Sequence, residues 1–462
     1  MLAPPPEAPY LVRMAVPLPA SLAPDAEPSP AELVAARPHL RYDAMDGLLV
    51  EDVPLNAVAD ALGTPTWVLS AGALRSRLAR LRGALAGAVP DARVHYAVKA
   101  NDHLAVLRLM AAGGAGADVV SGGEIRRALL AGIAPERIVF SGVGKTPAEL
   151  RFALASGVGQ VNVESAEELD MLAAAAAGTG RTARVALRVN PDVDAGTHAK
   201  ITTGRADNKF GIAYADAPAL YARAAALPGV EPVGLAVHIG SQILGMAPFR
   251  AAYARVAEMV QALRAAGHAV GAVDCGGGLG IAYGDEVAPT PEAFAGAIRA
   301  ALGNLGVRVA VEPGRWLAGP AGLLLAAVVL AKRSRGSDGR RFVVLDAAMN
   351  DLLRPAMYDS WHGIVPVSAA DAAAPARPVD VVGPVCETGD TFARLRALPA
   401  LAANARVAIL DAGAYGAVMS STYNARPLAA QALVDGARWA VIRERQPVEA
   451  LWAGERVPDW LA

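Results

Sequence analysis

The sequence predicts an α/β barrel joined to an all-β domain, on three observations. Between about residues 90 and 315, eight short apolar, β-branched runs alternate with longer Ala/Leu/Arg segments of helical period. Past about residue 322 that alternation gives way to strands and turns. The length, 462 residues, suits two or three domains, or one large barrel with an accessory domain. A doubly wound open sheet is the alternative, because periodicity does not distinguish a closed sheet from an open one.

Residues 1–38 are rich in Pro and Ala and carry Glu7, Asp25, Glu27 and Glu32; they read as a mobile extension. They lack the basic start and apolar run of a secretory signal. Residues 39–70 hold two short strands, 48–53 and 66–69, expected to join the β domain. A (β/α)8 barrel is expected over residues 71–320, with strands at 94–98, 117–120, 138–141, 160–163, 185–189, 234–238, 272–274 and 307–311. Helices are expected between them at 104–112, 123–131, 146–155, 166–175, 217–226, 248–266 and 291–302. Residues 321–462 form the C-terminal β domain, a sandwich or barrel, with strands at 323–330, 341–345, 379–382, 406–410, around Val434 and at 439–443. The longest apolar stretch, 316–331, contains Gly319, Pro320 and Gly322 and falls short of the ~20 residues that cross a bilayer. A buried strand is expected there.

Composition excludes several classes. With 43 basic and 44 acidic residues the net charge is −1, which argues against a surface that coats nucleic acid. A chain 54% hydrophobic and 19% charged excludes global disorder. Two cysteines, Cys275 and Cys386, cannot build a disulfide framework and fit a reducing compartment. A soluble cytoplasmic protein acting on a small molecule is expected, without nucleic acid, membrane or metal. Only five basic residues are lysines (Lys99, Lys145, Lys200, Lys209 and Lys332), so each has to be accounted for.

Active sites of such barrels form at the C-terminal ends of the strands. The first strand runs into Lys99, within Tyr96–Asn101 (YAVKAN). Burial there would lower the amine's pKa and suit it to Schiff-base chemistry, although a snorkelling or ion-paired lysine fits the position equally. The sixth ends in His238–Gln242 (HIGSQ), whose His238 is a ring-stacking or acid/base group or a satisfied core histidine. The seventh leads to Gly276–Gly280 (GGGLG), where successive N–H groups can approach an anion, helped by a following helix N-terminus. The eighth ends in Glu312–Arg315 (EPGR). Phosphate sites in these barrels often use the loops after strands seven and eight. Glu312 is either the acidic partner of a ring nitrogen, ionised, or half of a salt bridge with Arg315. A lysine, a phosphate cradle and a carboxylate together suit pyridoxal 5′-phosphate. In the β domain, Cys386–Asp390 (CETGD) places a thiol among acids, favouring a proton donor over a nucleophile. Gly413–Gly416 (GAYG) presents the hydroxyl of Tyr415, and Arg354 and Tyr358 offer carboxylate-binding groups.

Taken in order, these six motifs resemble the diaminopimelate decarboxylases, within the alanine-racemase-like, fold type III class of pyridoxal-phosphate enzymes. The resemblance runs from about Arg41 to Arg443. HIGSQ, with Lys209-Phe210-Gly211 upstream, is similar to the diaminopimelate branch rather than the ornithine or arginine branches. It implies that Lys99 carries the cofactor as a Schiff base and that His238 stacks on the ring. Gly276, Gly277, Gly278, Gly314 and Arg315, with Ser241 nearby, would hold the phosphate, and Glu312 would pair with the ring nitrogen. Arg315, Arg354 and Tyr358 would bind the retained substrate carboxylate, and Tyr415 would touch the cofactor. It further implies a homodimer in which the second subunit delivers Cys386, the proton donor to the α-carbon, and Glu387, a contact for the distal ammonium. The expected reaction is decarboxylation of meso-2,6-diaminopimelate to L-lysine, the last step of lysine biosynthesis; a same-fold decarboxylase of ornithine, arginine or another amino acid is the alternative. Three features depart from the pattern: the long Pro-rich start, the strand ending Trp67-Val68-Leu69-Ser70, and Trp361-His362.

Overall fold

The computed structural model describes residues 27–195, 209–334 and 339–461. All eight expected barrel strands form, at Arg93–Ala97, Gly116–Val119, Ile138–Phe140, Gln160–Val163, Ala183–Asn190, Val230–Ala236, Ala272–Asp274 and Arg308–Val311. Each pairs in parallel with the next, and the eighth closes on the first, Ala310 opposite Arg93 and Val311 opposite Val94. Closure rules out the open doubly wound sheet, whose outer strands have no such partners.

The helices start where their caps are. Ser121, Thr146, Ser165 and Thr290 each accept a backbone N–H of the first turn of the helix that follows. Thr146 and Glu149 form a reciprocal capping box, with Pro147 at the first helical position. Gly157 and Gly180 then end their helices in the left-handed conformation. A further helix, Ala71–Ala88, lies outside the expected set and packs against Pro291–Leu302. Its buried Leu74, Leu78, Leu81 and Leu85 recur at helical spacing, so the signal was present among its arginines.

The second domain is built on Gly322–Arg333; of the stretch 316–331 expected as a buried strand, Arg315–Ala318 forms a short helix, and the strand is buried from Gly322 to Ala326 but exposed from Val329 onward. Thr66–Ser70 pairs antiparallel with it and parallel with Ala430–Asp435, so the chain before the barrel supplies a central strand of the later sheet. Leu40–Asp43, Gly47–Val50 and Val53–Pro54 make a separate small sheet, packed through Leu48 and Val50 against Val68, Leu323 and Leu325. Thr391–Leu398 and Ile364–Pro366 are strands that the sequence reading omitted.

The expectation of a mobile extension over residues 1–38 is corrected for its described part; residues 1–26 lie outside the described residues. Pro30–Ala35 is a short helix with a Ser29–Glu32 capping box that buries Leu33 and Val34. Glu27 pairs with Arg396 at 3.3 Å, and buried Arg37 pairs with buried Asp411. These contacts hold the segment on the β domain.

Candidate active site

The barrel interior below the mouth is unusually polar. Side-chain alternation turns His95, Asp118, Asn162 and Asp274 inward from apolar strands, and Ser141 and Glu312 follow just beyond strand ends. All six are buried. Apart from Glu312, none was singled out from the sequence. The signal available was a lone polar residue inside each run, as in Val94-His95-Tyr96 and Val161-Asn162-Val163.

Lys99 sits in a turn, Val98–Ala100, directly after the first strand. Its Nζ lies 2.9 Å from Asp118 Oδ2; the Asp118 side chain is fully buried, while 38% of the lysine side chain stays exposed and open to a small molecule. Desolvation pulls the ammonium down, but the Asp118 carboxylate beside it leads the acidic groups that outweigh it, and the net shift is upward. The expected lowering by burial is thus reversed by the acids around the amine. Glu312 differs from expectation in the same way. Burial, then the neighbouring Asp118 and Asp274 carboxylates, raise it well above the carboxylate range. Ser141 Oγ and Asn162 Nδ2 both donate to Glu312 Oε1 at 3.4 Å. No ion pair joins Glu312 to Arg315 among the described residues, so the salt-bridge alternative fails.

Loops six, seven and eight press against one another. A Cβ at Gly276 would lie 2.2 Å from the Val237 carbonyl oxygen, and one at Gly277 2.2 Å from that of Glu312. Gly278 has φ +98°, which glycine alone tolerates comfortably. The Gly277 N–H donates to His238 Nδ1 at 3.2 Å, fixing the ring beside the loop. Burial, then Arg188 and Lys99, push the His238 imidazole well below its usual range, so it is neutral. No helix begins directly behind the glycines; the next one starts at Pro291. The loop N–H groups therefore act without the expected helix dipole.

Two guanidinium groups meet at one phenol. Arg315 donates to Tyr283 Oη at 2.7 Å and to Ser241 Oγ at 2.9 Å, while Arg354 donates to Tyr283 Oη at 3.2 Å and to Ser360 Oγ at 3.0 Å. Arg315 also stacks over Tyr415 at 4.9 Å, and Arg354 over Tyr358 at 5.9 Å. Both arginines are buried, neither has a carboxylate partner among the described residues, and Arg315 Nε lacks any hydrogen-bond partner. Tyr283 and His362 were missed from sequence. His362 Nδ1 meets the Leu410 carbonyl at 2.8 Å, and Arg354 Nε lies 3.4 Å from its Nε2. Burial and then Arg354 hold this imidazole down at about 3, so it is a neutral support for Arg354.

Gly314 closes the site from below: a Cβ there would lie 3.0 Å from that of Ala100 and 3.2 Å from Tyr415 Oη. Tyr415 itself donates its backbone N–H to the Ala100 carbonyl at 2.8 Å. Cys386 and Glu387 are not brought to this cluster. They lie exposed, and the Cys386 N–H bonds to Asn424 Oδ1 at 3.2 Å within the β domain.

Comparisons with known proteins agree with this geometry. The family model described as "Pyridoxal-dependent decarboxylase, pyridoxal binding domain" matches residues 72–319. A diaminopimelate decarboxylase of Zymomonas mobilis is 51% identical over 417 residues, covering 90% of this chain and 98% of that protein. That of Pseudomonas aeruginosa is 47% identical over 408 residues, covering 88% and 96%. Among solved structures, the Helicobacter pylori diaminopimelate decarboxylase complexed with L-lysine is 38% identical with a TM-score of 0.82, covering 86% of this chain and 98% of that one. Over nearly its whole described length, then, this chain belongs to the diaminopimelate decarboxylase family of fold type III, pyridoxal-phosphate-dependent carboxy-lyases.

Proposed function

We propose that this chain removes the carboxylate at the D-configured centre of meso-2,6-diaminopimelate, yielding L-lysine and CO2 as the last step of lysine biosynthesis. The observation that carries this reading is the pair of buried guanidiniums, Arg315 and Arg354, converging on Tyr283 with no carboxylate partner among the described residues, Arg315 stacked on the Tyr415 whose N–H bonds to Ala100 next to Lys99. Buried cations without counter-charges call for anionic partners.

The residues fit pyridoxal 5′-phosphate. The glycine loop runs so close to loops six and eight that no Cβ fits at Gly276 or Gly277, and Arg315 Nε is an orphaned buried donor. Lys99 would anchor the cofactor, His238 would lie on its ring, and Glu312 would face its nitrogen. Gly276, Gly277, Gly278, Gly314, Arg315 and Ser241 would hold its phosphate, with Tyr415 alongside. Bound cofactor supplies an electron sink for the pair released when CO2 departs.

The chain's own residues do the rest. Glu312 would hold a proton between its carboxyl and the ring nitrogen, so that with the proton on the nitrogen the carboxylate pairs with it. Arg315, Arg354 and Tyr358 bind the carboxylate that is retained, which fixes which carboxylate is lost. Neutral His238 packs without adding a charge. Cys386 gives a proton to the α-carbon, and Glu387 meets the distal ammonium, both reaching the site from a second subunit. Their exposure, away from their own barrel's cluster, supports that assignment. The working form is accordingly a homodimer in the cytoplasm, with the barrel over residues 71–320 and residues 39–70 belonging with the β domain at 321–462. The reading is tested by comparing kcat/KM for meso-diaminopimelate, ornithine and arginine. A preference for the first by at least about a hundredfold is expected, the scale on which an unpaired buried charge discriminates. A preference for ornithine or arginine overturns it.

A further inference from the structure

The described part of the N-terminal segment meets the site at the corner where Tyr283 joins the two arginines. Glu27 lies 3.3 Å from Arg396 Nε, accepts the Ala397 N–H at 3.2 Å and accepts the Trp361 Nε1–H at 3.5 Å. Arg396 in turn stacks on the Trp361 ring at 4.3 Å and donates to the His362 carbonyl at 2.7 Å. Leu33 packs on Gly363, where a Cβ would lie 3.3 Å from Leu33 Cδ1. Arg37 donates to the Tyr283 carbonyl at 3.0 Å while paired with buried Asp411.

We propose that residues 27–37 brace the carboxylate-binding corner from outside, with Glu27 and Arg37 as positioning residues that hold His362 and Tyr283, and through them Arg354, in place for the retained substrate carboxylate.

The contacts converge on two side chains. His362 lies between Trp361 and Gly363 in the chain, and the segment grips both neighbours, Glu27 the first and Leu33 the second. The imidazole is then fixed on three sides: Nδ1 meets the Leu410 carbonyl at 2.8 Å, Nε2 lies 3.4 Å from Arg354 Nε, and the ring stands edge-on to Tyr283 at 5.1 Å. Tyr283 is held at its carbonyl by Arg37, while its hydroxyl accepts from Arg354 and Arg315. The Trp361 ring also covers Gly284, 3.7 Å from where a Cβ would stand, so Glu27 reaches the Tyr283 loop by a second route. Of the three groups to which Arg354 donates, His362, Tyr283 and Ser360, the first two are those the segment holds. Arg315 depends on it less, having Ser241 and Tyr415 as well. Among the described residues Glu27 is the one carboxylate paired with Arg396, which is itself buried. Without it the guanidinium is stranded and has to seek another acceptor, taking Trp361 and the His362 carbonyl with it.

The inference rests on the carboxylate-binding role proposed for Arg354, and its test separates binding from chemistry. In the cofactor-loaded, full-length protein, Glu27→Ala should raise KM for meso-diaminopimelate about tenfold, the scale of one lost hydrogen bond, with kcat held within about twofold. Affinity for pyridoxal 5′-phosphate should also stay within about twofold, because the segment's contacts fall on the Tyr283 and His362 side of the site. Glu27→Gln keeps an acceptor for the Ala397 N–H and loses only the charge. It should show the same split at about threefold, and it decides the matter if Glu27→Ala does not fold. An unchanged KM overturns the proposal. So does a parallel fall of kcat, cofactor affinity and denaturation midpoint, the pattern of a segment that only stabilises the fold. Wild type assayed alongside tells the two readings apart. If it leaves meso-diaminopimelate intact, the substrate assignment fails and this inference with it; if it turns the substrate over and Glu27→Ala matches it, only this inference fails.

Discussion

Lys99 is the proposed anchor of the cofactor, and its environment sets it apart from Lys145. The turn after the first strand directs it over Asp118, and its exposed third faces the mouth. Lys145, by contrast, is sealed: its Nζ donates to Glu168 and to the Gly142 and Asn162 carbonyls, which accounts for it as structure. Lys99→Ala should therefore abolish the visible absorbance of bound cofactor, and an unchanged spectrum would assign the anchor to another lysine. Cys386→Ala should bind cofactor as wild type does but lose turnover by ~100-fold or more, the usual scale for removing a proton-transfer group; retained turnover would refute its role. The barrel motifs were legible because each follows directly on an apolar strand. Asp118, Asp274, Tyr283 and His362 were not, since each acts by facing a residue far away in sequence. The raised Glu312 carboxyl was hidden for the same reason: burial inside the barrel raises it first, and carboxylates on two other strands add to that.

At the level of elements, eight strands and seven of the helices follow from period, caps and glycine stops, and these were readable almost residue by residue. The N-terminal segment was not. Its Pro/Ala composition suggests disorder, yet Arg37 reaches into the β domain, pairing with Asp411 and donating to the Tyr283 carbonyl at 3.0 Å. That contact is tertiary and leaves no periodic trace. It also ties residues 27–38 to the tyrosine that joins Arg315 and Arg354. Burial pushes the Asp411 carboxyl up and Arg37 pulls it back, so Arg37→Ala strands a buried acid. A loss of about 3–5 kcal/mol in chemical denaturation is expected, with weakened substrate binding through Tyr283. A change below ~1 kcal/mol would show that the segment is dispensable to the fold.

For the whole molecule, the single chain contains a cofactor site but exposes the loop that carries Cys386 and Glu387 on its other domain. Two subunits exchanging these loops would complete two sites. Mixing Lys99→Ala with Cys386→Ala subunits under exchange conditions should then restore about a quarter of wild-type activity, since half of randomly paired dimers contain one intact site. No recovery despite demonstrated exchange would place all catalytic groups in one chain. Among the described residues no helix is long and apolar enough to cross a membrane. In the proposed reaction two arginines and an anchored cofactor select one carboxylate of a diamino diacid. The most direct test is the product formed by the cofactor-loaded protein from meso-diaminopimelate. Stoichiometric L-lysine and CO2 are predicted; no lysine from a folded holoenzyme, with ornithine or arginine consumed instead, would contradict the account.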